Sequence, residues 1–347
     1  MRVCFFSPVK DRALLQITQF YAQDIRALCS IADEVVLATR FDEVDSRADV
    51  HFVWWWTRAM EPLSKALAVG RPAIVTGVFD FANPFPGQGY ASRPLIQRAA
   101  IRASLLCATH NLFVSRLEFD SVPRHLPTRS AHFAPLVVDC DLHSFAGAAR
   151  EPFLLTIAWL NGDNPIRKGV DVAIRAHRQL LSDHPNLELR IAGSPGDGQA
   201  KLEKLVDELG TGERVRFLGR ITDEQKVSLL QRCAAYLQTS VYEGFGVAAA
   251  EAMACGAPVI ATRAGTLPEV LGPDAFFADR TEDSIADAVR AALRTDTQAR
   301  RLRAAERIRV EFSFDRRRNA IRELIDEAVR ERNPRRRALR ALAGGLR

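Results

Sequence analysis

Two carboxylates stand out by their setting, Glu243 and Glu251 in the segment Ser240-Val241-Tyr242-Glu243-Gly244-Phe245-Gly246-Val247-Ala248-Ala249-Ala250-Glu251-Ala252-Met253-Ala254-Cys255-Gly256. An apolar run that reads as a strand ends near Thr239. Glu243 and two glycines form the turn, and an Ala-rich helix follows and stops at Gly256, a good C-terminal glycine. Glycine lets a backbone approach a ligand closely. The first helical amides then aim the positive end of the helix dipole at that ligand. Glu251 lies about one turn into the helix. Carboxylates so placed can hold two diols several ångströms apart, as in a ribose and a hexose joined by a diphosphate. Read blandly, Glu251 is a helix-favouring surface residue and Glu243 a partner of the helix dipole.

The second candidate is Asn161-Gly162-Asp163-Asn164-Pro165-Ile166-Arg167-Lys168-Gly169-Val170-Asp171, which follows a strand and opens a helix. Adjacent cations at a helix N-terminus oppose the dipole. Arg167 and Lys168 make sense there if an anion sits between them and the amides; otherwise they are a solvated pair. No Asp-x-Asp pair is well placed for a metal, and no Cys-x-x-Cys pair or histidine spacing suggests one. The six cysteines lie far apart and read as buried thiols of a reducing compartment.

Positioning these groups falls to alternating strands and helices. Strands fit Val3–Phe6, Glu34–Ala38, Val50–Trp54, Pro72–Val75 and Leu112–Ser115, with helices over 13–31 and 93–107. The pattern loosens from Phe145 to Pro152, read as a linker, and then resumes with strands at 153–158, 187–192, 214–218, 235–239, 258–262 and 275–277. Helices over 169–182, 199–208, 223–232, 247–255 and 282–294 separate them. Such alternation implies α/β units with parallel sheets covered on both faces. Ligands of these sheets sit beyond the carboxyl ends of the strands.

The Glu243–Glu251 segment resembles the E-x7-E signature of family 4 glycosyltransferases. The similarity runs on through Gly265-Thr266-Leu267-Pro268-Glu269-Val270 and covers roughly residues 135–331. It implies a GT-B fold, two doubly wound Rossmann-like domains facing across a cleft. The expected division is 1–148 on the acceptor side and 149–314 for the nucleotide sugar, with the final helix, 315–331, returning to the first domain. By this resemblance the reaction is a retaining, metal-independent transfer of a sugar from a nucleotide-sugar donor (UDP-, GDP- or ADP-linked) to a glycan, lipid-linked or small-molecule acceptor, with no cofactor. Lys168 binds the donor diphosphate, Glu243 orients the sugar and Glu251 the ribose. Gly193, Arg220 and Ile221 border the nucleotide, and Phe245, Gly246 and Val247 border the donor at the helix start. Where the family commonly has Gly-Arg after the strand, this chain has Trp159-Leu160, leaving Arg167 as the substitute cation. The first domain departs most: Ser7–Arg12, with Lys10, replaces a glycine-rich loop, and Asp80 is the nearest polar residue to the place of the family's histidine. One ring of Trp54-Trp55-Trp56 is a candidate to stack on an acceptor sugar.

The chain has 347 residues, 47% hydrophobic and 26% charged, which excludes collagen-like, coiled-coil and largely disordered classes. No apolar run approaches a membrane span, and the N-terminus lacks a signal-peptide core, so a cytoplasmic protein is expected. The formal charge of +6 is matched by the six Arg of residues 332–347, which contain no acid. Basicity is therefore a property of the tail, and no nucleic-acid-binding pattern accompanies it. The tail is a candidate for peripheral contact with the inner face of a membrane. Two rival readings are a nicotinamide-dependent oxidoreductase, from the loose Gly244-x-Gly246-x-x-Ala249, and a catalytically silent sugar-nucleotide-binding module.

Overall fold

The computed structural model describes residues 1–331. The chain divides into two compact units. The first comprises Met1–Ala82, Gly87–Val137 and the chain from Phe314; the second comprises Asn83–Pro86 and Val138–Ser313. The division falls at Val137/Val138, earlier than the expected 148/149. The reason lies in the pattern-poor segment that follows. Phe145 packs so closely on Gly256 that a Cβ there would stand 2.2 Å from its ring. His143 is fully buried, and Gln231 Nε2 donates to the Ser144 carbonyl at 2.8 Å. Of the stretch read as a linker, Phe145 and Arg150 are anchored on the second unit, and Glu151 and Pro152 open the strand Glu151–Ile157.

The first unit is a six-stranded parallel sheet of β1 (Arg2–Phe6), β2 (Glu34–Ala38), β3 (Val50–Trp54), β4 (Ala73–Gly77), β5 (His110–Phe113) and β6 (Ala131–Phe133), in the spatial order β2-β1-β3-β4-β5-β6. β3 and β4 are buried along their whole length, as the centre of a sheet covered on both faces requires. The helix expected over 13–31 is broken into Leu14–Ile17 and Gln19–Cys29 by Thr18, whose ψ of 112° is extended. β5 begins two residues before the expected start.

The second unit has six parallel strands, β7 (Glu151–Ile157), β8 (Glu188–Ala192), β9 (Val215–Gly219), β10 (Cys233–Gln238), β11 (Val259–Thr262) and β12 (Phe276–Ala278), ordered β12-β11-β10-β7-β8-β9. The chain winds outward from β7 to β9, then returns to the other side of β7 with β10. Neighbours β7 and β10 thus flank the point where the winding reverses. Helix starts are capped: Thr222 and Gln225 form a reciprocal capping box ahead of Asp223–Arg232, and the Thr281 hydroxyl accepts from the Ser284 N–H. The apolar faces of Val170–Leu180 and Glu282–Thr295 join the strands in one core around Leu154, Ile191, Leu237 and Ile260.

Candidate functional site

In a doubly wound sheet, ligands bind outside the carboxyl ends of the strands at the reversal of strand order. The loops leaving β7 and β10 carry Lys168 and Glu243 to that place. The two loops are stitched together. The Val241 N–H donates to the Arg167 carbonyl at 2.8 Å, and the Thr239 hydroxyl donates to the Gly169 carbonyl at 2.8 Å. Gly169 holds φ 73°, and a Cβ there would lie 2.0 Å from the Thr239 carbonyl oxygen. Only glycine permits that approach.

Lys168 Nζ donates to Glu243 Oε1 at 2.6 Å. The same oxygen accepts from Ser240 Oγ at 2.6 Å and Gln238 Nε2 at 2.8 Å, and Tyr236 Oη donates to Gln238 Oε1 at 3.0 Å. Burial pushes the Glu243 carboxyl up; the Lys168 charge and the hydrogen bonds from Lys168 and Ser240 outweigh it and hold the group below the usual carboxylate range. Arg167 ends a short helix, Asn164–Arg167, and Lys168 caps it just ahead of the helix Val170–Leu180; Lys168 thus faces a carboxylate supplied by the chain itself. The main chain of Glu243 is fixed as well: its carbonyl accepts from the Thr266 N–H at 3.0 Å and hydroxyl at 3.2 Å. Arg167 is half-buried and donates to Asn164 Oδ1 at 2.7 Å. Its charge also stabilises the Glu243 carboxylate.

Glu251 lies in the helix Val247–Ala254, which starts at Gly246 with φ 87°. It is buried rather than at the surface, 3% exposed. Lys226 Nζ lies 3.2 Å from Oε2 and His143 Nε2 3.7 Å from Oε1. Sequence reading missed both partners. Lys226 resembles any solvated lysine of an amphipathic helix, and His143 stands just before the stretch read as a linker. The Phe245 ring is buried against Phe312, edge to face at 5.4 Å, so only its backbone can meet a ligand.

Gly193 ends β8, and its N–H donates to the Gly219 carbonyl at 2.9 Å. A Cβ at Gly193 would lie 1.8 Å from the Ala158 carbonyl oxygen, so this glycine lets the chain leaving β8 close on the chain leaving β7. Arg220 and Ile221 follow β9 and line a cavity of about 480 Å³ with Leu218, Glu224 and Arg232. Across the carboxyl edge the candidates therefore stand in the spatial order β10 (Glu243), β7 (Lys168), β8 (Gly193), β9 (Arg220, Ile221). Three strand spacings make ~14 Å.

The acceptor-side candidates belong to the first unit. Lys10 is exposed in the loop after β1. Asp80 follows β4 with φ 52°, and its N–H donates to Glu118 Oε1 at 2.7 Å. Glu118, missed in the sequence, also accepts from the Phe79 N–H at 2.9 Å; burial raises its carboxyl to about 8. Ser115-x-x-Glu118 has the spacing of a capping box, which could have flagged it. Trp54 and Trp56 are core residues, with ring N–H groups bonded to Asp24 (3.0 Å) and Asn111 (2.8 Å). Trp55 lies beyond the strand end with φ 77°, half-buried.

Residues 157–309 match the family described as glycosyl transferases group 1. The fold is GT-B. Sucrose-phosphate synthase from Thermosynechococcus elongatus superposes with a TM-score of 0.76 at 18% identity, over 94% of this chain and 98% of that one. HepE of Anabaena, solved in complex with UDP, gives 0.76 at 17% identity over 94% and 100%. Among curated proteins, the MMP alpha-(1->4)-mannosyltransferase of Mycolicibacterium hassiacum is 36% identical over 143 residues, 41% of this chain and 34% of that protein. The D-inositol 3-phosphate glycosyltransferase of Corynebacterium jeikeium is 38% identical over 123 residues, 34% of this chain and 29% of that protein. The match thus spans about a third of these relatives. Among the described residues no helix is long and apolar enough to cross a membrane.

Proposed function

We propose that the chain is a retaining, metal-independent glycosyltransferase of the family 4, E-x7-E type, moving a hexose from a nucleotide sugar to a glycan, lipid-linked or small-molecule acceptor. The observation that carries this reading is the order of groups along the carboxyl edge. Carboxylate, ammonium, glycine turn and open groove follow one another over ~14 Å, the span and sequence of sugar, diphosphate and nucleoside in an extended donor. That HepE of Anabaena was solved with UDP and with UDP-glucose supports a nucleotide-sugar donor.

In this reading Lys168 and the first amides of the helix at Gly246 and Val247 neutralise the diphosphate as the sugar bond breaks. Arg167 supplies the second cation. The three donors on Glu243 all use Oε1, which turns Oε2 to a donor-sugar hydroxyl. Lys226 and His143 hold Glu251 for the ribose. The chemistry is stabilisation of a departing anion by fixed charges and dipoles, with positioning. No divalent ion is required for it, so the rate after chelation is expected to be independent of added magnesium or manganese.

A thermal-shift screen of UDP, GDP, ADP and their sugars tests the reading. A nucleotide at 100 times its Kd stabilises the fold by ~2.7 kcal/mol, and the nucleotide that shifts Tm names the donor for transfer assays. Glu251→Ala is expected to weaken the free nucleoside diphosphate. Glu243→Ala is expected to spare nucleotide binding and cut transfer. Equal loss of nucleotide affinity in both variants contradicts the division of roles, and no shift with any nucleotide contradicts the function.

A further inference from the structure

The first unit contains a cluster that spacing along the chain does not announce. His110 opens β5, His132 lies beside it in β6, the edge strand, and Glu327 comes from the last helix, Phe314–Glu331. His110 Nδ1 and His132 Nε2 stand 3.1 Å apart, and Ser130 Oγ lies 2.9 Å from each. The rings are nearly perpendicular, at 81°. One ligand atom from each of His110, His132 and Glu327 lies within 4.8 Å of the other two.

Three heteroatoms in mutual contact over-fill their hydrogen-bonding capacity. Burial lowers the proton affinity of both rings, and the neighbouring His132 lowers that of His110 further, while the charge of Glu327 works the other way. A neutral imidazole carries one N–H and one bare lone pair. The Ser130 hydroxyl contributes one proton and one ring can contribute another. Two protons bridge at most two sides of the triangle, so the third holds two heteroatoms in contact with no hydrogen bond between them. Nothing on the far side of His110 fixes its tautomer, because Nε2 is buried without a hydrogen-bond partner. Ser130 itself holds φ 42°, a costly conformation for a residue with a Cβ. A cation among these atoms turns the repulsion into attraction. Two nitrogens bound to tetrahedral zinc are ~3.3 Å apart, close to the observed separation.

We propose that His110, His132 and Glu327 form a binding site for a divalent transition-metal ion of the zinc class, which clamps the last helix to the edge of the first sheet. Two imidazoles and one carboxylate suit zinc and exclude preference for magnesium or calcium, which take oxygen ligands. Ser130, in reach of both nitrogens, orients a water in the fourth position. The site is in the first unit and takes no part in the donor chemistry.

The test uses the full chain, stripped with chelator and titrated with zinc chloride by calorimetry and with cobalt chloride by visible absorption. One equivalent per chain, a cobalt spectrum of four-coordinate type and a higher Tm with zinc are expected. Glu327→Gln, at a half-exposed helix position, and His132→Ala are each expected to weaken zinc at least ~100-fold, more than the loss of an outer-shell partner. Unchanged circular dichroism of the zinc-free variants separates lost binding from lost fold. Three results overturn the site: no stoichiometric zinc on the wild type, undiminished affinity in Glu327→Gln, or magnesium binding as tightly as zinc. The second would move the ion to thiols such as the exposed Cys29.

Discussion

Lys168 serves two ends at once, and its removal separates them. Its ammonium bonds the buried Glu243 at 2.6 Å, so Lys168→Ala leaves a carboxylate held only by Ser240 and Gln238. Breaking a buried pair costs up to ~3–5 kcal/mol; with Lys168 partly exposed and two donors remaining, the loss is expected at or below the lower end. Transfer is expected to fall by ~10²–10³ in kcat, as for loss of one donor to a developing anion, with a smaller rise in donor KM. Adding Glu243→Gln is expected to restore Tm without restoring transfer. Calorimetry and initial rates on both variants check this; a double variant that regains activity removes Lys168 from the chemistry. Glu243 and Lys168 stood out in the sequence because glycines mark the loops that carry them, and Glu251 because Gly246 and Gly256 bound its helix. Lys226 and His143 were not, since their meaning is fixed only by the buried carboxylate they meet.

Glu118 works through an element rather than a site. It stands in the first turn of the helix Arg116–His125, where the Ser115 hydroxyl accepts its N–H at 3.2 Å. Its carboxyl receives the Phe79 and Asp80 amides of the loop after β4. Burial lifts its pKa from 4.5 to about 8. A raised folded value means that its stabilising contribution is full below the unfolded pKa and is lost as pH climbs through the folded one. Wild-type Tm is therefore expected to lose this contribution between pH 4.5 and about 8, and Glu118→Gln is expected to flatten that part of the profile. Parallel slopes in the two proteins would discard the assignment. Strand periodicity found β2 and β3 to the residue, because Val, Leu and Phe runs between polar turns leave little choice. It failed at Thr18, where the apolar spacing continues across a backbone break, and at Phe145–Pro152, a largely exposed aperiodic stretch whose last two residues already belong to β7.

At the scale of the molecule, Arg317 ties the chain's two ends into one unit. It is 2% exposed and forms a bidentate pair with Asp24 at 2.7 and 2.8 Å, while Nη1 donates to the Ala134 carbonyl at 2.7 Å. Trp54 Nε1 donates to the same carboxylate. Arg317→Met strands a buried charge and is expected to cost ~3–5 kcal/mol, confined to the first unit. Scanning calorimetry is expected to show the first unit's transition at lower temperature; an unchanged thermogram would contradict the assignment. The basic tail, residues 332–347, lies outside the described residues. Its six Arg make it a candidate for anionic lipid, at up to ~1 kcal/mol per Arg. Co-sedimentation with anionic vesicles is expected to fall with high salt and on deletion of 332–347. The anchoring of Arg317 has a consequence for synthesis. A ribosome delivers residues 138–313 as a nearly continuous domain, yet the first-made Asp24 waits for a partner almost three hundred codons later. The unit begun first is thus finished last, and in the interval its open face is a natural client for a chaperone.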